Sequence, residues 1–256
     1  MPRASTLDRR THILRQLSRD GRVQVEELAT THQTSQVTIR KDLSELEAKG
    51  HLIRRHGGAI AANLTQTPPE KVSNQKKAIG AAAAQRIRNH SRVLIDFGST
   101  TSAMIPFLAE KTGLVIMTNS LKTAQAVLAL NPPPTLLMTG GTWDIRTESL
   151  QGQIAEQVLS SYDFDQLVIG CDGIDPTRGT TTFNELTGLS QHMAAAAREV
   201  IVVATSDKIG RRIPTLELSW QSIDQLITDD ALDSRVRQDI EQQGVEVILA
   251  HSEGEH

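Results

Sequence analysis

The sequence predicts a two-part chain: a small winged helix-turn-helix head and a larger α/β domain with a mostly parallel sheet. Three observations predict it. Helical segments and a Gly-Gly hairpin crowd residues 1–60. Beyond residue 76, short apolar runs alternate with helical segments. Between the two lies a mostly polar stretch holding Pro68-Pro69, the composition of a linker. The expected division is head 1–60, linker 61–76 and body 77–256.

The head opens with a helix from about Thr6 to Arg19, because Leu7, Ile13, Leu14 and Leu17 share a face at helical spacing. Asp20-Gly21 ends it. Val25, Leu28 and Ala29 mark a short second helix, and His32 to Thr34 a polar turn in which Gln33 stands where many such motifs carry glycine. Ser35 can cap a third helix by accepting a free N–H of its first turn. That helix runs to about Lys49, with Val37, Ile39, Leu43 and Leu46 expected inward and Gly50 at its C-terminus. Its outward positions include Gln36, Thr38, Arg40 and Lys41. Such side chains donate to phosphates, and Gln36 and Arg40 can also read base edges in a DNA groove. Leu52 to Ile60 then places Arg54, Arg55 and His56 beside Gly57-Gly58, the composition of a β-wing along a phosphate backbone.

The body is expected to form a sheet from seven runs: Val93–Ile95, Leu114–Met117, Leu136–Met138, Leu167–Ile169, Val200–Val203, Leu226–Ile227 and Val245–Leu249. Continuous apolar runs, rather than alternating ones, belong to strands buried on both faces. Helices are expected over Ala78–Arg88, Ala103–Lys111, Leu121–Leu130 and Ser234–Gln243, giving a largely parallel, doubly wound domain.

Composition bounds the function. The 256 residues carry a net charge of −3, with 38% hydrophobic residues. That is enough apolar content for a core and excludes a fully disordered chain. The charge is uneven: residues 1–60 sum to +4 and the remainder to −7, so two partners of different chemistry are expected. One cysteine, Cys171, excludes an internal disulfide and fits a reducing, cytoplasmic setting. No apolar run reaches the ~20 residues of a membrane span, and no secretory leader is legible. The eight histidines show no zinc spacing, so no metal is expected.

Five strand ends carry small and hydroxyl residues: Asp96-Phe97-Gly98-Ser99-Thr100-Thr101, Thr118-Asn119-Ser120, Thr139-Gly140-Gly141-Thr142, Gly170-Cys171-Asp172-Gly173-Ile174-Asp175 and Thr205-Ser206-Asp207-Lys208. Open α/β sheets bind ligands at carboxyl strand ends. Hydroxyls and free N–H groups suit an oxyanion such as phosphate. Lys77 and Lys208 are candidate cations, and Asp172, Asp175 and Glu185 candidate acceptors for sugar hydroxyls. The set describes a pocket for a polyol phosphate. There is no Gly-rich dinucleotide or Walker loop, so no cofactor is expected.

Val37-Thr38-Ile39-Arg40-Lys41-Asp42-Leu43, followed by Arg54-Arg55-His56-Gly57-Gly58-Ala59, resembles the head of the DeoR family of bacterial transcriptional regulators. The strand-end motifs, with Thr181-Thr182-Phe183-Asn184-Glu185, resemble that family's effector domain; the likeness runs from about Arg9 to Leu249. It implies a repressor of a carbohydrate-utilisation operon that binds double-stranded operator DNA, releases it on binding a phosphorylated sugar effector, and is not an enzyme. A single head offers few contacts, so a homo-oligomer, dimer or tetramer, is expected. The body is also similar to ribose-5-phosphate isomerase, which implies a phosphosugar-isomerase-like fold, at Gly98-Ser99-Thr100 and Asp172-Gly173-Ile174-Asp175. That enzyme's Lys-Gly-Gly-Gly segment is absent here, where Thr180 to Glu185 stand instead. DeoR relatives usually show Asp-Ser-Ser-Lys where this chain has Thr205-Ser206-Asp207-Lys208. The alternative expectation is a sugar-phosphate isomerase-like enzyme with an appended DNA-binding head.

Overall fold

The computed structural model describes residues 6–20, 22–48, 52–55, 57–61, 72–182, 187–211 and 213–251, and of Arg54 and Arg55 the backbone alone. The chain divides into two units, Met1–Lys71 and Val72–His256. Expectations for Gly50, His56, Glu185 and most of the 61–76 stretch lie outside the described residues.

The first unit holds α1 (Thr6–Asp20), β1 (Arg22–Gln24), α2 (Val25–Thr31), α3 (Gln36–Ala48), β2 (Leu52–Arg55) and β3 (Gly58–Ala61). Ile13, Leu17, Val25, Leu28, Ile39, Leu43, Leu46 and Leu52 form its core. Val37 does not join them: it is 72% exposed. At about 100° per residue it stands some 200° around the helix from Ile39, on the opposite face. The three strands form an antiparallel sheet in the order β1-β3-β2, with Arg54 opposite Ala59 and Arg55 opposite Gly58. This is the expected wing. Gly58 is needed for it, because a Cβ there would stand 2.0 Å from the Val23 carbonyl oxygen of the neighbouring strand.

The second unit runs α4 (Asn74–Arg86), β4 (Arg92–Ile95), α5 (Ser99–Ser102), β5 (Val115–Thr118), α6 (Leu121–Leu128), β6 (Thr135–Met138), β7 (Thr142–Asp144), β8 (Ser149–Gln151), α7 (Gln153–Leu159) and β9 (Gln166–Ile169). It continues β10 (Gly173–Asp175), β11 (Gly179–Thr182), α8 (Gly188–Ala195), β12 (Val200–Val203), β13 (Thr215–Ser219), β14 (Gln225–Asp229), α9 (Ser234–Glu241) and β15 (Glu246–Ala250). The seven apolar runs are the seven strands of one sheet, in the order β15-β14-β12-β9-β4-β5-β6. Every neighbouring pair is parallel. Successive residues feed opposite faces: Leu94, Ile169 and Val202 pack in one apolar layer, and Val93, Ile95, Val168 and Ile201 in the other. Both faces are covered, and that is why the runs do not alternate.

Two further expectations need correction, and one sheet was missed. The helix placed at Ala78 begins at Asn74, because the Ser73 hydroxyl accepts from the Lys76 N–H and starts it a turn earlier. The helix expected over Ala103–Lys111 is instead the short α5 and a 3-10 turn at Ile105–Leu108, with Pro106 early in that turn. The antiparallel sheet β10-β11-β13 was not foreseen. Its central strand, Gly-Thr-Thr-Thr, is wholly buried yet carries no apolar side chain to signal it.

The order of the main sheet decides where a ligand could sit. From β4 the chain lays down β5 and β6 on one side, then crosses back to lay β9, β12, β14 and β15 on the other. The loops leaving β4 and β9 therefore diverge at adjacent carboxyl ends. Such a reversal opens a crevice in α/β sheets.

Candidate functional site

In the first unit, α2 and α3 flank the turn His32–Thr34. Gln33 adopts φ +48°, so the left-handed conformation usual for glycine is met by glutamine. The Ser35 hydroxyl accepts from the Thr38 N–H at 3.2 Å and stands 2.9 Å from the Thr38 hydroxyl, capping α3 as expected. Arg40 and Lys41 are exposed, with Gln36 and Thr38 partly so. Arg40 donates from Nη2 to Gln36 Oε1 at 3.0 Å, one helical turn away, which aligns the two candidate base-reading side chains. Exposed Val37 lies on this same side.

The sequence reading missed what holds α3 in place. Asp42 is 2% exposed, and its two oxygens accept from Nε of Arg9 at 2.6 Å and Nε of Arg10 at 2.8 Å. A buried carboxylate is tolerable when so paired. The only advance signal was an acidic residue directly after Arg40-Lys41 and next to Leu43 on the inward side of the helix.

In the second unit, a cleft of about 210 Å³ opens where β4 and β9 part. It is lined by Asp96 to Thr101, Gly170 to Asp172, Thr182, Lys208 and Glu217. The structure thus brings together Asp96, Gly98, Ser99, Thr100, Thr101, Asp172 and Lys208 from three separate strand ends. Thr101 Oγ1 donates to the Gly98 carbonyl at 2.9 Å and closes the loop. The N–H groups of Ser99 to Thr101 form a first helical turn, which lacks carbonyl partners behind it. Lys208 donates from Nζ to the Cys171 carbonyl at 2.6 Å, and Thr182 donates to Asp172 Oδ2 at 2.7 Å.

Other expected residues stand elsewhere. Lys77 is exposed and lies near Ala250 and His251. Its neighbour Lys76 donates to Ser99 Oγ at 2.9 Å and is the lysine that meets the loop. Consecutive helical residues point about 100° apart, so only one of the two could. Asp175 closes its own hairpin: it accepts from the Thr177 hydroxyl at 2.8 Å and the Thr177 N–H at 2.9 Å, and these bonds hold its carboxyl below the usual range. Gly141 is required by packing, since a Cβ there would stand 2.6 Å from the Gln151 carbonyl oxygen. Gly140 lies beside it, against Ile154. Asn119 and Ser120 are buried behind the cleft. Asn119 donates to Asp96 Oδ1 at 2.8 Å, and the Ser120 hydroxyl accepts from the Thr123 N–H at 3.2 Å to cap α6. Asp207 pairs with Arg211 and Thr205 on the surface. Ser206, not Asp207, makes the buried link, donating from N and Oγ to Asp229 at 2.8 and 2.7 Å.

Burial governs the acid chemistry of the cleft. It pushes the pKa of Asp96 up to about 8, with Glu217 adding to the rise and Asn119 opposing it. It pushes Glu217 up to about 7, opposed by the hydrogen bond from Ser190 and helped by the charge of Asp172. It pushes the Cys171 thiol up to about 12, which makes it a poor nucleophile. Glu217 was not foreseen, because Leu-Glu-Leu reads as an ordinary half-exposed strand. Among the described residues, no group of three or more His, Cys, Asp and Glu could hold a metal ion. Among the same residues, no helix is long and apolar enough to cross a membrane.

A winged helix-turn-helix unit followed by a parallel α/β unit with a polar cleft at its strand ends defines a DNA-binding regulator with a separate sensing domain. The chain belongs to the DeoR family of transcriptional regulators: residues 9–65 match the DeoR-like helix-turn-helix domain and residues 71–230 the DeoR C terminal sensor domain. It is 35% identical to a protein of Escherichia coli O157:H7 named as an aga operon transcriptional repressor, over 95% of this chain and 94% of that one. It is also 35% identical to the HTH-type transcriptional regulator GlpR of Haloferax volcanii, over 90% and 91% of the two chains. The HTH-type transcriptional repressor GlcR of Bacillus subtilis is 30% identical, over 96% and 97%. A solved ribose 5-phosphate isomerase of Plasmodium falciparum superposes on 52% of each chain at 14% identity, with a TM-score of 0.39. At that level it bears on neither ligand nor chemistry.

Proposed function

We propose that this regulator represses a carbohydrate-utilisation operon and releases its operator on binding a phosphorylated sugar. The observation that carries the ligand class is the cleft itself. A loop rich in hydroxyl and N–H groups, met by Lys76, suits a phosphate; Lys208 adds a second cation. Asp172 and Glu217 face the same space and suit sugar hydroxyls. In the head, Ser35 to Lys41 enter the major groove, with Gln36 and Arg40 on base edges. Arg54, Arg55 and His56 of the wing lie along neighbouring phosphates. The names of the relatives support repression.

One head makes few contacts, so two or more copies act together, assembled through the body as a dimer or tetramer. The effector must favour the arrangement whose heads do not fit the operator. A coupling of about 1–3 kcal/mol changes occupancy by about 5–150-fold. The test is a mobility-shift assay at fixed salt on the promoter of the adjoining operon, titrated with hexose and hexitol phosphates. Release by a phosphorylated sugar, and not by the free sugar, supports the reading. Operator binding indifferent to every phosphorylated sugar overturns the effector class.

A second reading, a sugar-phosphate isomerase with an appended head, is favoured by one observation: Glu217 titrates near neutrality in the cleft, as a general base should. Turnover of pentose or hexose phosphates by the pure protein would establish it; none is expected.

A further inference from the structure

Glu217 has a feature that the phosphate-binding half of the cleft does not explain. Its Oε1 accepts from the Ser190 hydroxyl of α8 at 2.8 Å. Its Oε2 is shut off from solvent and makes no hydrogen bond of good geometry, although the Thr180 hydroxyl lies close enough to oppose the rise in the pKa of Glu217. A buried oxygen left without a full partner is destabilising, and at a cleft wall a bound molecule can supply what it lacks. Ionised, the carboxyl repels a phosphate, and in either protonation state it can hydrogen-bond an uncharged hydroxyl of the same ligand. The lining supplies both halves: Ser99, Thr100 and Thr101 in one loop, Asp172 and Glu217 from other strands.

We propose that Glu217 is the selectivity group of this cleft: its Oε2 hydrogen-bonds a hydroxyl of the bound molecule and makes the site prefer phosphorylated polyols to inorganic phosphate. The proposal rests on the sugar-phosphate reading above and adds to it the residue that tells a sugar phosphate from phosphate alone. Ser190 orients the carboxyl through Oε1 and leaves Oε2 for the ligand. The buried acid is held near neutrality, so it can donate in its protonated form or accept in its ionised form.

The experiment is calorimetric titration of the full-length chain at pH 7 with two probes, inorganic phosphate and D-glucitol 6-phosphate. Wild type is expected to bind the polyol phosphate more tightly. Glu217→Ala is expected to weaken it about tenfold or more while changing phosphate binding less than twofold. Glu217→Gln, which keeps the shape and one hydrogen bond, falls between and guards against a variant that fails to fold. If both variants bind the two probes as wild type does, Glu217 does not touch the ligand and the proposal is wrong. An equal loss for both probes also overturns it, because Glu217 would then shape the site without selecting. If wild type binds phosphate but not the polyol phosphate, the selectivity is absent. Binding of neither probe by wild type, repeated across pentose and hexose phosphates, brings down the sugar-phosphate reading as well.

Discussion

Asp42 in the head and Asp96 in the body are both buried, and they are kept by opposite means. In the head, Asp42 is enclosed by two guanidinium groups from α1 and so ties that helix to α3. In the body, Asp96 has the amide of Asn119 beside it, and burial raises its pKa to about 8, so at neutral pH it holds its proton. A buried charge must be matched or removed. Matching builds a rigid strut under a DNA-reading helix. Removing leaves a polar, titratable group at the wall of a cleft, where a ligand can change its surroundings.

The largest effect should come from breaking the strut. Asp42→Ala leaves Arg9 and Arg10 together with only Glu45, 3.9 Å from Arg10 and half exposed, as a counter-ion, and should destabilise the head by about 3 kcal/mol. Calorimetry of the full-length chain should show the head melting earlier with the body transition in place. A body transition that moved equally would show that the units do not melt separately.

The second effect is on the body and depends on pH. Asp96 and Glu217 bind protons more tightly folded than unfolded. Their contribution is therefore complete below about pH 4 and is lost as pH rises through about 7 to 8. Each lost proton costs up to about 1.4 kcal/mol per pH unit across that window. Asp96→Asn should flatten the fall of body Tm between pH 5 and 8. An unchanged slope would mean that Asp96 is already ionised.

The next concerns the surface that the strut supports. Arg40 is exposed, so Arg40→Ala should leave the head folded yet cost about 1–3 kcal/mol of specific operator affinity. Binding to unrelated DNA should change little. Unaltered footprinting would remove α3 from the groove.

The smallest sharpens the cleft. Lys76→Ala should weaken release by a phosphorylated sugar several-fold, and Lys77→Ala should leave it as in wild type. Equal effects would mean that the bond from Lys76 to Ser99 does not mark the phosphate end.

The sequence by itself determined much of this protein. Ile39, Leu43 and Leu46 at helical spacing, Ser35 before them and Gly57-Gly58 after Arg55 gave the head, because caps, turns and apolar stripes are local signals. The continuous runs gave all seven strands of the main sheet, because strands covered on both faces need apolar residues throughout. The cleft was legible only in part. The motif from Asp96 to Thr101 and Asp172 could be seen, since small residues after a strand are themselves a signal. Their neighbours could not. Whether Lys76 or Lys77 meets Ser99 turned on which face of α4 packs against that loop.

What only the tertiary structure decided was strand order, and with it the company each residue keeps. Placing β4 beside β9 opens the crevice, and the sheet of β10, β11 and β13 carries Glu217 to its wall. The same holds for Asp42; the outward face of Val37, by contrast, follows from helical spacing relative to Ile39. Burial and pairing depend on residues distant in the chain, and no local pattern encodes a distance through space.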